Sequence, residues 1–172
     1  MRDGFLLDPT VVHLNHGSFG ACPVPVFEEY QRLQLELESG PTDFFTRKVA
    51  RWFWGDEFGP GRLAEARAAL AEFVGARTDD LVFVPNATSG LNAAIRSLKL
   101  HPSEEILTTA HEYGAILRTW QFVGATLVVC EPDQVSQRIG PRTRAVCISH
   151  ITSPTALLVP VEEICSAAAA SA

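Results

Sequence analysis

The chain has 172 residues, 47% of them hydrophobic and 20% charged, the balance of one folded globular domain rather than a disordered chain. A formal net charge of −6 with scattered Lys and Arg leaves no basic stripe for nucleic acid, and no apolar run approaches the ~18 residues of a membrane span. The opening MRDGFLLDPTVV lacks the apolar core and cleavage site of a signal peptide, so a cytoplasmic protein is expected.

In chain order, Val26, Tyr30, Leu33 and Leu37 fall at helical spacing between Pro25 and Glu38, and Pro25 suits a first helical turn. An amphipathic helix is predicted there. Ser39 to Gly61 has no clear period and carries Phe44, Phe45, Trp52, Phe53, Trp54 and Phe58, rings that suit a core or a face against a partner subunit. From Arg62, the recurrence of Leu63, Ala66, Leu70 and Phe73 predicts a second helix, with Gly75 at its stop. Strands are then expected at Leu81–Val84, Ile106–Leu107, Leu127–Val129 and Ala145–Ile148. Helices marked by Leu91, Ile95 and Leu98, and by Ile116, Trp120 and Val123, separate them. Strands alternating with helices mean βαβ units, so the fold class is α/β with a mainly parallel sheet and flanking helices. The connection from Cys130 to Ala145 is close to the shortest parallel crossover and leaves room for a helix of one or two turns. After Val161–Ile164, the alanine-rich stretch from Cys165 shows no packing pattern. The expected division is residues 1–60, an N-terminal segment; 61–164, an α/β domain; and 165–172, a tail.

Four cysteines without C-x-x-C spacing fit reduced thiols, with Cys130 and Cys147 as small core residues, and no metal centre is indicated. His13 and His16 alone are a poor basis for one. The segment Phe83-Val84-Pro85-Asn86-Ala87-Thr88-Ser89-Gly90 turns from an apolar run through small polar residues into a helix. The first amides of such a helix are unpaired and, with the helix dipole, form a cradle for phosphate, to which Thr88 and Ser89 add hydroxyls. Thr, Ser and Asn are equally the ordinary N-cap residues, and the segment alone leaves both readings open. It matches neither the Walker loop nor the dinucleotide glycine pattern. Ser149-His150 invites a hydrolase reading, but no G-x-S-x-G elbow accompanies it.

Four motifs in one order, Leu14-Asn15-His16-Gly17-Ser18-Phe19-Gly20, Asn86–Gly90, Thr109-Ala110-His111-Glu112-Tyr113-Gly114-Ala115 and Ser149–Thr155, resemble the class V aminotransferase family in its isopenicillin-N-epimerase-like branch. The likeness runs from about Val11 to Ile164. It implies the large domain of a fold type I enzyme and pyridoxal 5′-phosphate as cofactor. It also implies a small amino-acid-like substrate and a homodimer. By position, the resemblance makes Ala87, Thr88 and Ser89 the phosphate-binding loop and His111 the ring-stacking, proton-moving residue, with Tyr113 a second aromatic candidate. Ser153, beside Thr152, stands where many relatives carry an asparagine near the cofactor's phenolic oxygen. Asn15, His16 and Gly17 match the loop at the substrate entrance; their residue types alone describe a glycine turn in which Gly17 and Gly20 supply positive φ.

In the family, the carboxylate partner of the pyridine nitrogen and the Schiff-base lysine lie further along. Lys48 and Lys99, the only lysines here, do not match that lysine. A chain cut before those groups is therefore expected to be inactive by itself, and its last strand, left without a neighbour, to promote association. The competing reading is a non-catalytic α/β module that binds a phosphorylated ligand or a partner subunit.

Overall fold

A computed structural model describes residues 2–49 and 61–171. The chain divides into two compact units, residues 1–83 and 84–172. That join lies beyond the boundary expected at residue 60, because the helix starting at Arg62 packs against turns of the first unit on either side of it.

In the first unit, α1 (Val24–Ser39) starts after Pro23, with Pro25 in its opening turn, and α2 (Pro41–Asp43) runs into a π-helical stretch over Phe44–Val49. The amphipathic face of α1 is only partly covered: Leu33 and Leu37 are half-buried, Val26 and Tyr30 exposed. Glu36 on that helix gathers Arg32, Lys48 and Arg62 at 3.0, 3.0 and 2.8 Å. Three cations on one carboxylate hold it well below the usual range, at about 2, with Arg62 the largest influence. Helix α3 (Arg62–Val74) ends at Gly75, whose φ of 68° is the left-handed cap conformation that glycine adopts without strain. Its apolar stripe does not face the unit's interior. Ala71 is the buried residue, whereas Leu63 and Leu70 are exposed and Phe73 is 86% exposed. The period locates a helix, but the side turned inward is that of Ala64, Arg67 and Ala71. Phe44 is buried and meets exposed Phe45 edge-on; Trp52, Phe53, Trp54 and Phe58 lie outside the described residues.

The expected strand Leu81–Val84 is not one. It pairs in no described ladder, and Val82 is 72% exposed. An apolar run supplies the side chains of a buried strand without supplying the neighbour whose amides would complete it.

The second unit is the α/β body. α4 (Ala87–Ser97) precedes β1 (Glu105–Thr109), α5 (Gly114–Phe122), β2 (Thr126–Cys130), α6 (Val135–Arg138), β3 (Thr143–Cys147) and α7 (Val161–Ala170). The strands are parallel in the order β2-β1-β3, with Leu107 level with Val128 on one side and Val146 on the other. Arg144 is an extra residue: Glu105 is opposite Thr143, but Ile106 is opposite Ala145. The chain moves one way from β1 to β2 and the other way from β2 to β3, so right-handed crossovers put their helices on opposite faces. Ile95, Ile106, Ile116 and Trp120 form the core under α4 and α5; Leu107, Cys130, Val135, Val159 and Ile164 form the core under α6 and α7. The short crossover, expected to hold a helix of one or two turns, folds as a single turn with Val135 fully buried. The tail from Cys165 is not patternless as expected but continues α7 to Ala170, anchored by buried Ile164, because alanine is the strongest helix former. Among the described residues no helix is long and apolar enough to cross a membrane.

Candidate functional site

Reversal of direction about β1 creates a topological switch point between β1 and β3. At such points the two following loops part at the C-terminal ends of the strands and leave a crevice, the usual ligand position in open α/β sheets. The loops here are the turn from Ala110 to Tyr113 and the segment from Ile148 to Leu158.

The phosphate candidates begin α4. The Asn86 side chain caps the helix, its Oδ1 accepting the Ser89 N–H at 2.8 Å. The ordinary cap and the cradle are thus not exclusive, because the cap uses Ser89 and leaves the Ala87 and Thr88 amides without a described acceptor. The direction of α4 follows from two contacts. Asn92 Nδ2 donates to Thr119 Oγ1 at 3.1 Å, and the Arg96 guanidinium lies 4.7 Å from the centre of the Phe122 ring. Contacts that advance together along two helices make them parallel. Since α5 departs from the C-terminal end of β1, α4 also begins at that end. Ala87 and Thr88 therefore open at the same end of the sheet as His111. Asn92 also donates to the Thr88 carbonyl at 3.1 Å, which ties the first turn of α4 to α5.

His111 is half-buried in the turn after β1, its backbone N–H donating to Thr109 Oγ1 at 3.3 Å. Its Nδ1 lies 3.4 Å from Thr155 Oγ1, and Thr155 in turn meets Thr152 Oγ1 at 2.7 Å. The structure thus brings His111 together with the loop that carries Ser153. Ser153 itself is exposed in the turn, while Thr152 is buried, its hydroxyl accepting the Leu157 N–H at 2.8 Å. Tyr113 is 63% exposed at the start of α5. No described bond joins Thr88 to His111.

Glu112 is the residue that sequence reasoning missed. Its Oε1 accepts the Ser149 backbone N–H and its Oε2 accepts the Ser149 hydroxyl at 3.1 Å. The motif around His111 contained it, but only the fold brings Ser149 opposite. That bond also leaves the Ser149-His150 hydrolase reading without support, since the hydroxyl is directed to Glu112. Beneath the crevice, burial pushes the Cys147 thiol up. The Trp120 indole N–H, which makes no full hydrogen bond, weighs against that rise, and the charge of Glu112 adds to it.

The N-terminal candidates lie in the first unit and are all exposed. Asn15 Oδ1 accepts the Ser18 N–H at 3.0 Å, and His16 meets the His13 ring edge-on with centroids 4.6 Å apart. Gly17 and Gly20 do not have positive φ, contrary to expectation. Gly20 is instead required by close approach, since a Cβ there would come within 2.9 Å of the His16 carbonyl oxygen. Among the described residues no cluster of three or more His, Cys, Asp or Glu is placed to hold a metal. Lys48 is held by Glu36 and Asp43, and Lys99 follows α4 at the end away from Thr88. A separate open concavity of about 440 Å³ runs from His150 and Leu158 to Glu163 and includes none of the candidate residues.

Comparison with known proteins gives the family and the fold. The model of the class-V aminotransferases matches residues 61–172. Isopenicillin N epimerase of Streptomyces clavuligerus is 33% identical over 98% of this chain and 44% of its own length. The epimerase of Amycolatopsis lactamdurans is 32% identical over 97% of the chain, again 44% of its own length. A solved C-DES mutant with glycine covalently linked to its pyridoxal phosphate cofactor has a TM-score of 0.79 at 22% identity, covering 97% of this chain and 45% of that one, a likeness of fold. The chain spans less than half the length of these relatives. A family model across the whole α/β body, joined to epimerase likeness running on through the first unit, establishes that the chain belongs to the class-V aminotransferase family, a family of pyridoxal-phosphate enzymes.

Proposed function

We propose that the second unit holds pyridoxal 5′-phosphate for chemistry on an amino-acid substrate, and that epimerisation at an amino-acid centre is the reaction of the full site. The observation that carries this reading is the pair of unpaired amides at Ala87 and Thr88, opening at the same end of the sheet as His111. Epimerisation is chosen because the epimerases are 33% and 32% identical over nearly the whole chain, whereas an Arabidopsis thaliana protein named as a probable L-cysteine desulfhydrase is 23% identical over 91% of it.

The donor set fits the cofactor. A phosphate dianion at the start of α4 would receive two backbone N–H groups and the Thr88 hydroxyl in the favourable field of the helix dipole, with Ser89 adding its hydroxyl. When bound, pyridoxal phosphate supplies a ring that withdraws electrons from a bond at the substrate's α-carbon. His111 would cover that ring with a flat imidazole and hold or move a proton at Nε2, its Nδ1 being turned to Thr155. Tyr113 is the second aromatic neighbour. The Ser153 hydroxyl would donate to the phenolic oxygen, a contact less firmly oriented than an amide would make. Asn15, His16 and Gly17 keep the substrate-facing role that the family likeness gives them, and the complete enzyme is a homodimer. We assign the covalent attachment to neither Lys48 nor Lys99.

Calorimetric titration of the 172-residue chain with pyridoxal phosphate, pyridoxal and inorganic phosphate tests the reading. Pyridoxal phosphate is expected to bind at least about tenfold more tightly than either part, a gap of roughly 1.4 kcal/mol. Equal affinity for pyridoxal would remove the phosphate cradle. Equal affinity for inorganic phosphate would favour a module for phosphorylated ligands in general. Borohydride reduction followed by peptide mass mapping is expected to leave both lysines unmodified, and an adduct on either would overturn that assignment.

A further inference from the structure

Two loops of the second unit are joined through one carboxylate. Glu112 follows His111 in the turn after β1, and Ser149 lies in the loop after β3. Glu112 takes both donors of this one residue, the backbone N–H on Oε1 and the hydroxyl on Oε2. Neither bond belongs to the ladder between the strands; both lie beyond it, across the crevice.

The loop that Glu112 grips is closed on itself. Val159 N–H donates to the His150 carbonyl at 2.8 Å, Ile151 bridges to Leu158, and Thr152 accepts the Leu157 N–H. It therefore moves as one piece, carrying Ser153 and Thr155. Its other described link to the β1 turn is the long 3.4 Å contact between Thr155 Oγ1 and His111 Nδ1. A contact of that length orients an imidazole only while the loop is held, and the two charge-assisted bonds to Glu112 are the stronger hold.

We propose that Glu112 is a positioning residue: by clamping Ser149 it fixes the loop from His150 to Leu158 against the β1 turn, and so sets the orientation of His111 and the place of Ser153. The proposal rests on the reading above in that these two groups meet one cofactor ring from different strands. Glu112 itself makes no contact assigned to cofactor or substrate.

The test compares Glu112→Ala, Glu112→Gln and Ser149→Ala in the 172-residue chain. Glutamine keeps both bonds, its carbonyl accepting the Ser149 N–H and its amide donating to the Ser149 oxygen. Expected for Glu112→Ala is about tenfold or greater acceleration of amide exchange at Ser149 and Leu157, with a shifted His111 imidazole resonance; His101 serves as an unmoved control. Glu112→Gln should restore both readouts to the parent values. An unmoved His111 in a folded Glu112→Ala chain overturns the proposal, as does failure of glutamine to restore it. Should Glu112→Ala not fold, Ser149→Ala, which removes only the hydroxyl bond, decides by the same resonance: a smaller shift supports the clamp and no shift overturns it. Pyridoxal phosphate affinity forms a separate arm, expected to fall about tenfold in Glu112→Ala and to recover in Glu112→Gln. If the parent chain fails to bind pyridoxal phosphate, the functional reading fails, while the resonance and exchange data still judge Glu112.

Discussion

Thr88→Val separates the phosphate cradle from the stability of the helix that forms it. The substitution keeps a β-branched side chain of nearly the same shape and deletes the hydroxyl. Asn86 continues to cap Ser89, and Asn92 continues to donate to the residue 88 carbonyl, because both bonds engage groups other than the deleted hydroxyl. Threonine and valine have similar helix propensity, so the stability change should stay within about 0.5 kcal/mol. The binding change is larger. A hydrogen bond to a charged group contributes about 1.5–3 kcal/mol, which corresponds to roughly 10- to 150-fold in affinity. Calorimetry should therefore show pyridoxal phosphate binding weakened by that factor, pyridoxal binding unchanged, and a melting temperature within about 4 °C of the parent. Thr88→Ser, which returns the hydroxyl, should recover most of the affinity. Unchanged pyridoxal phosphate affinity, or equal loss for pyridoxal, would refute the assignment of this hydroxyl to the phosphate.

Leu107→Ala removes a side chain that is 1% exposed at the centre of the middle strand, and urea unfolding should show a loss of about 2–5 kcal/mol, against less than about 0.5 kcal/mol for exposed Leu158→Ala. Glu36, held at about 2 rather than the usual 4.5 by Arg62, then Lys48 and Arg32, lends stability that is fully present above 4.5 and lost as pH falls toward 2. The stability difference between the parent and Glu36→Gln should thus be constant from neutral pH down to about 5 and shrink below it; a gap that ignores pH would count against the three-cation hub. Burial raises the thiols of Cys130 and Cys147, so a thiol reagent at mildly alkaline pH should modify exposed Cys22 and Cys165 first, with all four alike in urea.

Much of the second unit could be read from residue order because its signals are local. The apolar runs at Ile106–Leu107 and Leu127–Val129 lie within strands, Ala145–Cys147 does as well, and Asn86 caps the helix that its neighbours announced. The family was legible in the same way, from four motifs in order, and the comparisons bear it out. What failed depended on distant partners. Leu81–Val84 has strand composition without a ladder, and the Leu63–Phe73 stripe marks a helix whose buried side is that of Ala71. The alanine-rich tail lacks contrast between faces, so pattern reading misses a helix that propensity and one anchor, Ile164, suffice to hold. The Glu112–Ser149 bond spans 37 positions, a separation at which neither residue type nor spacing signals the other.

The extra residue opposite β1 determines where this strand tolerates a change in length. Ala145 and Cys147 pack under α4 and α5 while Val146 and Ile148 pack on the other layer, an alternation fixed by position along the strand. Loss of Ala145 or Val146 would turn the residues on one side of the gap inside out. Loss of Arg144 would merely bring Thr143 and Ala145 into adjacent rungs, since Glu105 and Ile106 already face those two, and would forfeit only an exposed ion pair with Glu104. At this one place the β3 strand can be shortened without exchanging its two faces.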